Sequence, residues 1–177
     1  MRERIDWEAL AVSLGTYVPG SSNEYGSDDA ARTALAAIIG ADEIASAVDH
    51  YVVGRRGGQL ARSVLWLLKP AAASARCIEI YESSSDQEDR RMAVELLRVV
   101  DDGRSMSRIP EFLADPDLTI QGWGVGLLDQ LLQEGLVDVH DAEPFIRLAE
   151  GHPNEAVRER ADFIRSFCAD RWNARPT

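Results

Sequence analysis

Residues 85–97 read SDQEDRRMAVELL, and two later stretches of the chain align with them without gaps. These are PDLTIQGWGVGLL from residue 116 and PNEAVRERADFIR from residue 153, so the spacings are 116 − 85 = 31 and 153 − 116 = 37 residues. The aligned positions hold polar caps (Asp86, Asp117, Asn154), small residues (Ala93, Gly124, Ala161) and large aliphatic residues (Leu96, Leu127, Ile164). Each copy therefore predicts an amphipathic helix that begins at a polar cap.

A second helix precedes each of these caps, because Ile78, Ile109 and Ile146 also align. Paired helices that recur with a period of 20 to 50 residues are typical of a stacked α-solenoid, in which several units share one core. A weaker copy, QLARSVLWLL, begins at residue 59. We expect an all-α single domain over residues 1–177: a helical segment at 1–54 with a loop at 17–27, then a short α-solenoid of stacked antiparallel helix pairs at 55–170.

The apolar residues recur at helical spacing, and no stretch shows sustained strand alternation. This periodicity predicts a core that contains Leu65, Leu68, Val94, Leu96, Leu97, Leu127, Leu128, Leu131, Phe163 and Ile164. Trp66 lies between Leu65 and Leu67 and is expected in the same core.

The Asp-Pro-Asp turn at 115–117, the series of caps and the sequence VRERA at 157–161 resemble those of HEAT-like helical repeats. The resemblance covers roughly residues 55–170 and implies a concave face formed by the second helices. In size, acidity and repeat type the chain also resembles helical-repeat immunity proteins that bacteria encode beside polymorphic toxins. That resemblance implies binding to a cognate toxin domain, often a cationic enzyme.

The charge of the chain favours a basic protein partner. Lys and Arg number 19 and Asp and Glu number 30, so the net charge is 19 − 30 = −11, which repels nucleic acid and anionic lipid. Residues 54–84 are the exception, with 5 − 2 = +3. No segment is apolar over about 18 residues and no signal peptide is recognisable, so we expect a cytoplasmic protein.

Three glycines, Gly122, Gly124 and Gly126, flank Trp123 and Val125 at alternate positions. The sequence GWGVGL lacks the G-x-G-x-x-G spacing and the preceding strand of a dinucleotide-binding loop. Gly124 is at the small position, where we expect close helix packing. Gly122 and Gly126 share a helix face at a cost of about 1 kcal/mol each relative to Ala. They either relieve crowding beneath Trp123 or form a notch for a partner's side chain.

The sequence contains no motif typical of a catalytic site or a metal site. His50, His140 and His152 form neither an H-E-x-x-H motif nor a cluster with the two cysteines, and the His-Glu pairs of HEAT-like hydroxylases are lacking. We therefore expect no enzyme, no catalytic or metal-binding residue and no cofactor. The alternative is a HEAT-like enzyme or accessory subunit, such as a lyase-like scaffold, which a strongly shifted titratable group in a deep pocket would favour.

The predicted function is binding and neutralisation of a basic toxin domain through an acidic surface of the second helices. The predicted binding residues are the acids Glu88, Glu95, Asp115, Asp117, Asp129, Glu155, Glu159 and Asp162, with Trp123 as an apolar anchor above Gly122 and Gly126. The loop at 17–27 holds two tyrosines and is either a linker or a second contact surface.

Overall fold

The computed structural model describes residues 4–173, and of residues 170–173 only the backbone. Within this range the chain is all-α, and its only β feature is an isolated bridge between Tyr17 and Glu24. The helices are α1 (Trp7–Ser13), α2 (Asp28–Ile39), α3 (Ala41–Val52), α4 (Gly58–Leu68), α5 (Ala71–Ser83), α6 (Gln87–Val100), α7 (Ile109–Ala114), α8 (Leu118–Gln133), α9 (Val139–Glu150) and α10 (Glu155–Asn173), with a 3-10 turn at Met106–Arg108.

Polar caps begin the three helices that the sequence alignment identified. The side chain of Asp86 accepts hydrogen bonds from backbone N–H groups in the first turn of α6, and Asp117 does the same for α8. Asn154 precedes α10 and accepts from the N–H of Ala156. These bonds satisfy donors that the first turn of a helix leaves unpaired, and they confirm the predicted helix starts.

Consecutive helices pack as pairs: α3 on α4, α5 on α6, α7 on α8 and α9 on α10. The second members of these pairs also contact one another in chain order, from α4 to α6, α8 and α10. Helices α3, α6 and α8 are the most connected, since each of them contacts four other helices.

The core contains nine of the ten residues predicted from helical spacing, each at most 7% exposed. Phe163 is the exception: its side chain is 52% exposed, because Ala161 and Ile164 take the inward positions of α10. The expectation that Trp66 is buried is also wrong, since it is 52% exposed. Leu65 faces the core, and the next residue of a helix is rotated away from it by about 100°.

Exposed apolar residues concentrate near the N-terminal end of the described chain. Helices α1 and α2 contain no buried residue, and the buried core begins at Ile44. Eleven of the fifteen large apolar residues that are exposed precede residue 68. These are Ile5, Trp7, Val12, Val18, Tyr25, Leu35, Val53, Leu60, Val64, Trp66 and Leu67. The first four helices therefore leave apolar surface that the rest of the described chain does not cover.

Gly124 permits α7 and α8 to pack closely, as the alignment predicted. A Cβ atom on Gly124 would lie 2.6 Å from the Cβ of the fully buried Phe112. We expect Gly124→Ala to lower the free energy of unfolding by about 1–3 kcal/mol, because Phe112 has no room to move. Urea unfolding followed by circular dichroism measures the change.

Gly122 provides the matched control on the same helix. A Cβ atom there would have no neighbour within 4 Å. Gly122→Ala is therefore expected to raise the free energy of unfolding by about 1 kcal/mol through helix propensity. Changes of the same sign at both positions would contradict this account of the two glycines.

Candidate functional site

The eight acids of the predicted binding surface fall into two groups. Glu95, Asp115, Asp117 and Asp129 are buried, and none is more than 9% exposed. The other four are exposed: Glu88, Glu155, Glu159 and Asp162. That these acids contact a partner stays a prediction. The exposed acids present their negative charge at the surface, whereas the buried acids do not.

Glu95 lies at the middle of α6 and joins it to α3 and α4. Its carboxylate accepts hydrogen bonds from the hydroxyl of Tyr51 at 2.6 Å, from Arg62 at 2.9 Å and from Arg98 at 3.3 Å. Burial raises the pKa of Glu95, but these hydrogen bonds and the arginine charges outweigh burial and lower it overall. Burial and the neighbouring carboxylate raise the pKa of Tyr51 to about 12. The negative charge of Glu95 is thus neutralised inside the molecule.

The turn between α7 and α8 holds two further buried acids. Asp115 accepts from Arg90 at 2.5 Å and from the hydroxyl of Tyr81 at 3.1 Å. Asp117 accepts from Arg91 at 2.8 Å while it also caps α8. Burial raises the pKa of Asp117, but the hydrogen bonds from the first turn of α8 and from Arg91 have the larger effect. The pKa of Asp117 is therefore lowered overall. Both carboxylates attach the start of α8 to α6.

Asp129 completes a series of ion pairs between neighbouring second helices. It lies on α8 and accepts from Arg160 of α10 at 2.9 Å. Glu95 with Arg62 links α6 to α4, and Asp117 with Arg91 links α8 to α6. The sequence holds a signal of these pairs, because each arginine lies 26 to 33 residues from its acid, close to the spacing between the aligned stretches.

The space beside Gly126 is filled by the protein's own Arg98. A Cβ atom on Gly126 would lie 3.0 Å from the Cδ of Arg98, whose guanidinium carbon lies 5.0 Å from the centre of the Trp123 ring. Trp123 itself is half-buried, and only Gly122 faces open space. At Gly126 the missing side chain thus relieves crowding by admitting Arg98, whose charge then stacks on the indole.

Three exposed acids form a row along α10. Glu155, Glu159 and Asp162 follow one another at intervals of four and three residues, which places them on one helix face. Among the side chains that the structure describes, none is in an ion pair with any of these three acids. Phe163 follows this row and is 52% exposed, with the guanidinium carbon of Arg160 5.8 Å from its ring centre. We call Glu155, Glu159, Asp162 and Phe163 the α10 stripe.

A cleft of about 500 Å³ opens between α2 and the starts of α3 and α5. Its charged lining residues are Asp29, Arg32, Lys69, Asp102 and Arg104. All of them are in ion pairs: Arg32 with Asp29, Arg104 with Asp102, and Lys69 with Glu134 outside the cleft. The cleft is therefore lined by apolar residues and by charged residues that are already in ion pairs.

The histidines that were considered as metal ligands lie apart from one another. The ring of His50 hydrogen bonds to the carbonyl oxygen of Arg56, and the ring of His152 to that of Leu113. His140 is exposed in the first turn of α9. Over the described residues, no three His, Cys, Asp or Glu side chains come together in a group that could hold a metal ion.

Comparisons with models of protein families, with curated proteins and with solved structures found no match to this chain. Every helix between residues 4 and 173 is too short or too polar to cross a membrane.

The ion pairs predict how stability depends on pH. Burial raises the pKa of Glu95 and of Glu134, but hydrogen bonds from Arg62 and Lys69 hold both below the usual glutamate value of 4.5. The unfolded chain then binds protons more readily than the folded chain, so the stabilisation is complete above that value and is lost as the pH falls through the folded pKa. We expect the free energy of unfolding to change little from about pH 7 to about pH 5.5 and to fall below about pH 4.5.

Urea unfolding at a series of pH values measures this dependence. Glu95→Gln removes one of the carboxylates with a lowered pKa, so the free energy of unfolding of this variant is expected to fall less steeply on acidification. If the variant and the wild type have the same slope, Glu95 does not contribute to the acid sensitivity.

Proposed function

We propose that this protein is a non-catalytic binding module built as a short HEAT-like α-solenoid. Two observations support the solenoid: the second helices contact each other in chain order, and ion pairs link α4 to α6, α6 to α8 and α8 to α10. Nearest-neighbour contacts of this kind are what repeat stacking requires.

The partner that we propose is a basic protein, specifically the toxin domain of a bacterial toxin that this chain neutralises as its immunity protein. The α10 stripe is the observation that carries the proposal. Its three carboxylates lie on one exposed helix face, and none of them is in an ion pair with a described side chain. A basic partner would pair with these carboxylates, and Phe163 would supply an exposed aromatic contact beside the charges.

The buried acids have a different part in this proposal. Glu95, Asp115, Asp117 and Asp129 hold neighbouring helices in place and offer little net charge to a partner, since an arginine neutralises each of them. The proposed contact surface therefore consists of the exposed acids of the predicted set, Glu88, Glu155, Glu159 and Asp162. Phe163, which the sequence predicted in the core, joins them because it is exposed.

The alternative role as an enzyme or accessory subunit has no comparable support. Tyr51 and Cys77 have raised pKa values, in both cases chiefly through burial. Both side chains are buried in the core, and neither lines the cleft beside α2. Shifts of this kind accompany tight packing and do not prepare a group for acid–base catalysis at neutral pH.

Growth rescue tests the proposed function. A reading frame beside the gene should encode a basic C-terminal domain that arrests bacterial growth when it is expressed alone. Co-expression of the wild-type protein should restore growth, whereas the variant Glu155→Lys, Glu159→Lys, Asp162→Lys should fail to restore it.

The matched control is Glu8→Lys, Glu43→Lys, Asp141→Lys, which changes the net charge equally at exposed acids outside the stripe and outside the loop at 17–27. This control should rescue growth like the wild type. Growth arrest that the wild type does not relieve contradicts the immunity role, and full rescue by the stripe variant contradicts the proposed surface.

A further inference from the structure

Helix α4 exposes an apolar stripe that no described part of the chain covers. Leu60, Val64 and Leu67 lie at i, i+4 and i+7, which places them on one helix face, and they are 70%, 41% and 66% exposed. Trp66 lies at the edge of this stripe and is 52% exposed. We call Leu60, Val64, Trp66 and Leu67 the α4 patch. Four large apolar side chains together on one surface helix are typical of a contact site.

A hollow of about 310 Å³ continues the α4 patch at the C-terminal end of the helix. Its walls include Trp66, Leu67 and Leu136. The indole N–H of Trp66 hydrogen bonds to Glu134, which also pairs with Lys69. The protein itself therefore satisfies the polar atom of Trp66, and the hollow has room for one bulky apolar side chain of a partner.

The positive charge beside α4 is only partly neutralised within the protein. Arg55 and Arg56 precede α4, are exposed, and are in no ion pair with a described side chain. The single carboxylate of Glu95 pairs with both Arg62 and Arg98, so this group of three keeps one positive charge. Helix α4 itself contains no Asp or Glu. The apolar stripe is thus accompanied by positive charge that lacks a counter-charge.

We infer that the α4 patch binds an acidic amphipathic helix of a partner protein. The apolar stripe of α4 fits a stripe of the same spacing on a second helix, whose bulkiest side chain enters the hollow beside Trp66. Charge complementarity selects the polar residues of that helix, because its carboxylates would meet Arg55 and Arg56 at the start of α4. At physiological salt, exposed charges more than about 8 Å apart are largely screened, so these two arginines outweigh the net charge of −11.

The charges argue against other occupants of the α4 patch. A basic partner would meet Arg55 and Arg56 with like charge. A symmetric contact with a second copy of this chain would bring two positively charged sides together. An anionic membrane is an extended surface, so it would also approach the acids that give the rest of the chain its negative charge.

The α4 patch and the α10 stripe are separate surfaces. Helix α4 contacts α2, α3 and α6, whereas α10 contacts α8 and α9. The inference therefore goes beyond the proposed function and does not depend on the identity of the basic partner.

Selection from a phage-displayed library of random peptides tests the inference, with the purified protein as bait. Peptides of about 16 residues are long enough for about four helical turns. The selection should enrich peptides that bind the wild type but not Leu60→Ser, Leu67→Ser. These peptides should have a net negative charge and large apolar residues at helical spacing. Both leucines are exposed, so this variant should keep the circular dichroism spectrum and melting temperature of the wild type.

Fluorescence anisotropy of one enriched peptide, labelled with fluorescein, tests the role of the charges. Arg55→Gln, Arg56→Gln should weaken its binding about tenfold and remove most of its salt dependence. The control is Arg147→Gln on α9, where the side chain is 74% exposed, and it should bind the peptide like the wild type.

Several outcomes would overturn the inference. They are enriched peptides that do not need Leu60 and Leu67, enriched peptides that are neutral or basic, and undiminished binding to the arginine variant. A wild-type dimer in sedimentation velocity that Leu60→Ser, Leu67→Ser dissociates would assign the patch to a second copy. Binding to phosphatidylserine vesicles that the same variant loses would assign it to a membrane, and either result would exclude the acidic helix.

Discussion

Leu127→Ala is expected to lower the free energy of unfolding by about 2–5 kcal/mol. Leu127 is fully buried on α8, which contacts α6, α7, α9 and α10. Truncation removes apolar burial and leaves a cavity among helices that cannot easily close around it, because Gly124 already brings α8 against Phe112. Denaturant unfolding followed by tryptophan fluorescence and by circular dichroism measures the loss.

The control for this substitution is Leu148→Ala on α9, where the side chain is 44% exposed. The same chemical change should cost less than about 1 kcal/mol there. A loss at Leu127 as small as the loss at Leu148 would show that α8 is not at the centre of the core.

Glu95→Gln should be the second most destabilising change, at about 2–4 kcal/mol. The substitution leaves Arg62 and Arg98 without their carboxylate, and each of these side chains is only 26% exposed. The expected loss of free energy of unfolding is smaller than for a fully buried ion pair, because water still reaches both guanidinium groups. The same denaturant experiment measures it.

Glu88→Gln is the matched control, since Glu88 is on the same helix and its only ion pair among the described residues is an exposed one with Arg91. Its effect should stay within about 0.5 kcal/mol. A double-mutant cycle of Glu95→Gln with Arg62→Gln should give a clear coupling energy. Additive effects would show that the two side chains do not stabilise each other.

The helices and most of the core could be predicted from the sequence because their signals are local. Asp86 and Asp117 cap their helices as aligned, and Leu96, Leu127 and Ile164 occupy equivalent buried positions. A polar cap hydrogen bonds within the first turn of its own helix, so nearby residues are enough to predict it. The buried face of a helix follows from the spacing of its apolar residues, which is also local.

Which acids are buried could not be predicted in the same way, because burial depends on contacts between helices that are far apart in the sequence. Glu95 and Glu159 look alike in the sequence as acids on second helices. Only the packing of α4 beside α6 brings Arg62 to Glu95, while Glu159 is in no ion pair with a described side chain. The exposure of Trp66 and Phe163 has a similar cause, since which side of a helix faces water depends on the neighbours it has.

The rate at which the proposed basic toxin domain associates with this protein, measured at increasing salt concentration, tests the central claim most directly. The wild type should associate fast, and the rate constant should fall steeply with salt because the α10 stripe attracts the partner over a distance. With Glu155, Glu159 and Asp162 changed to lysine, association should be slow and nearly independent of salt, while Phe163→Ala should mainly speed dissociation. If the lysine variant associates at the wild-type rate with the wild-type salt dependence, the α10 stripe is not the binding surface.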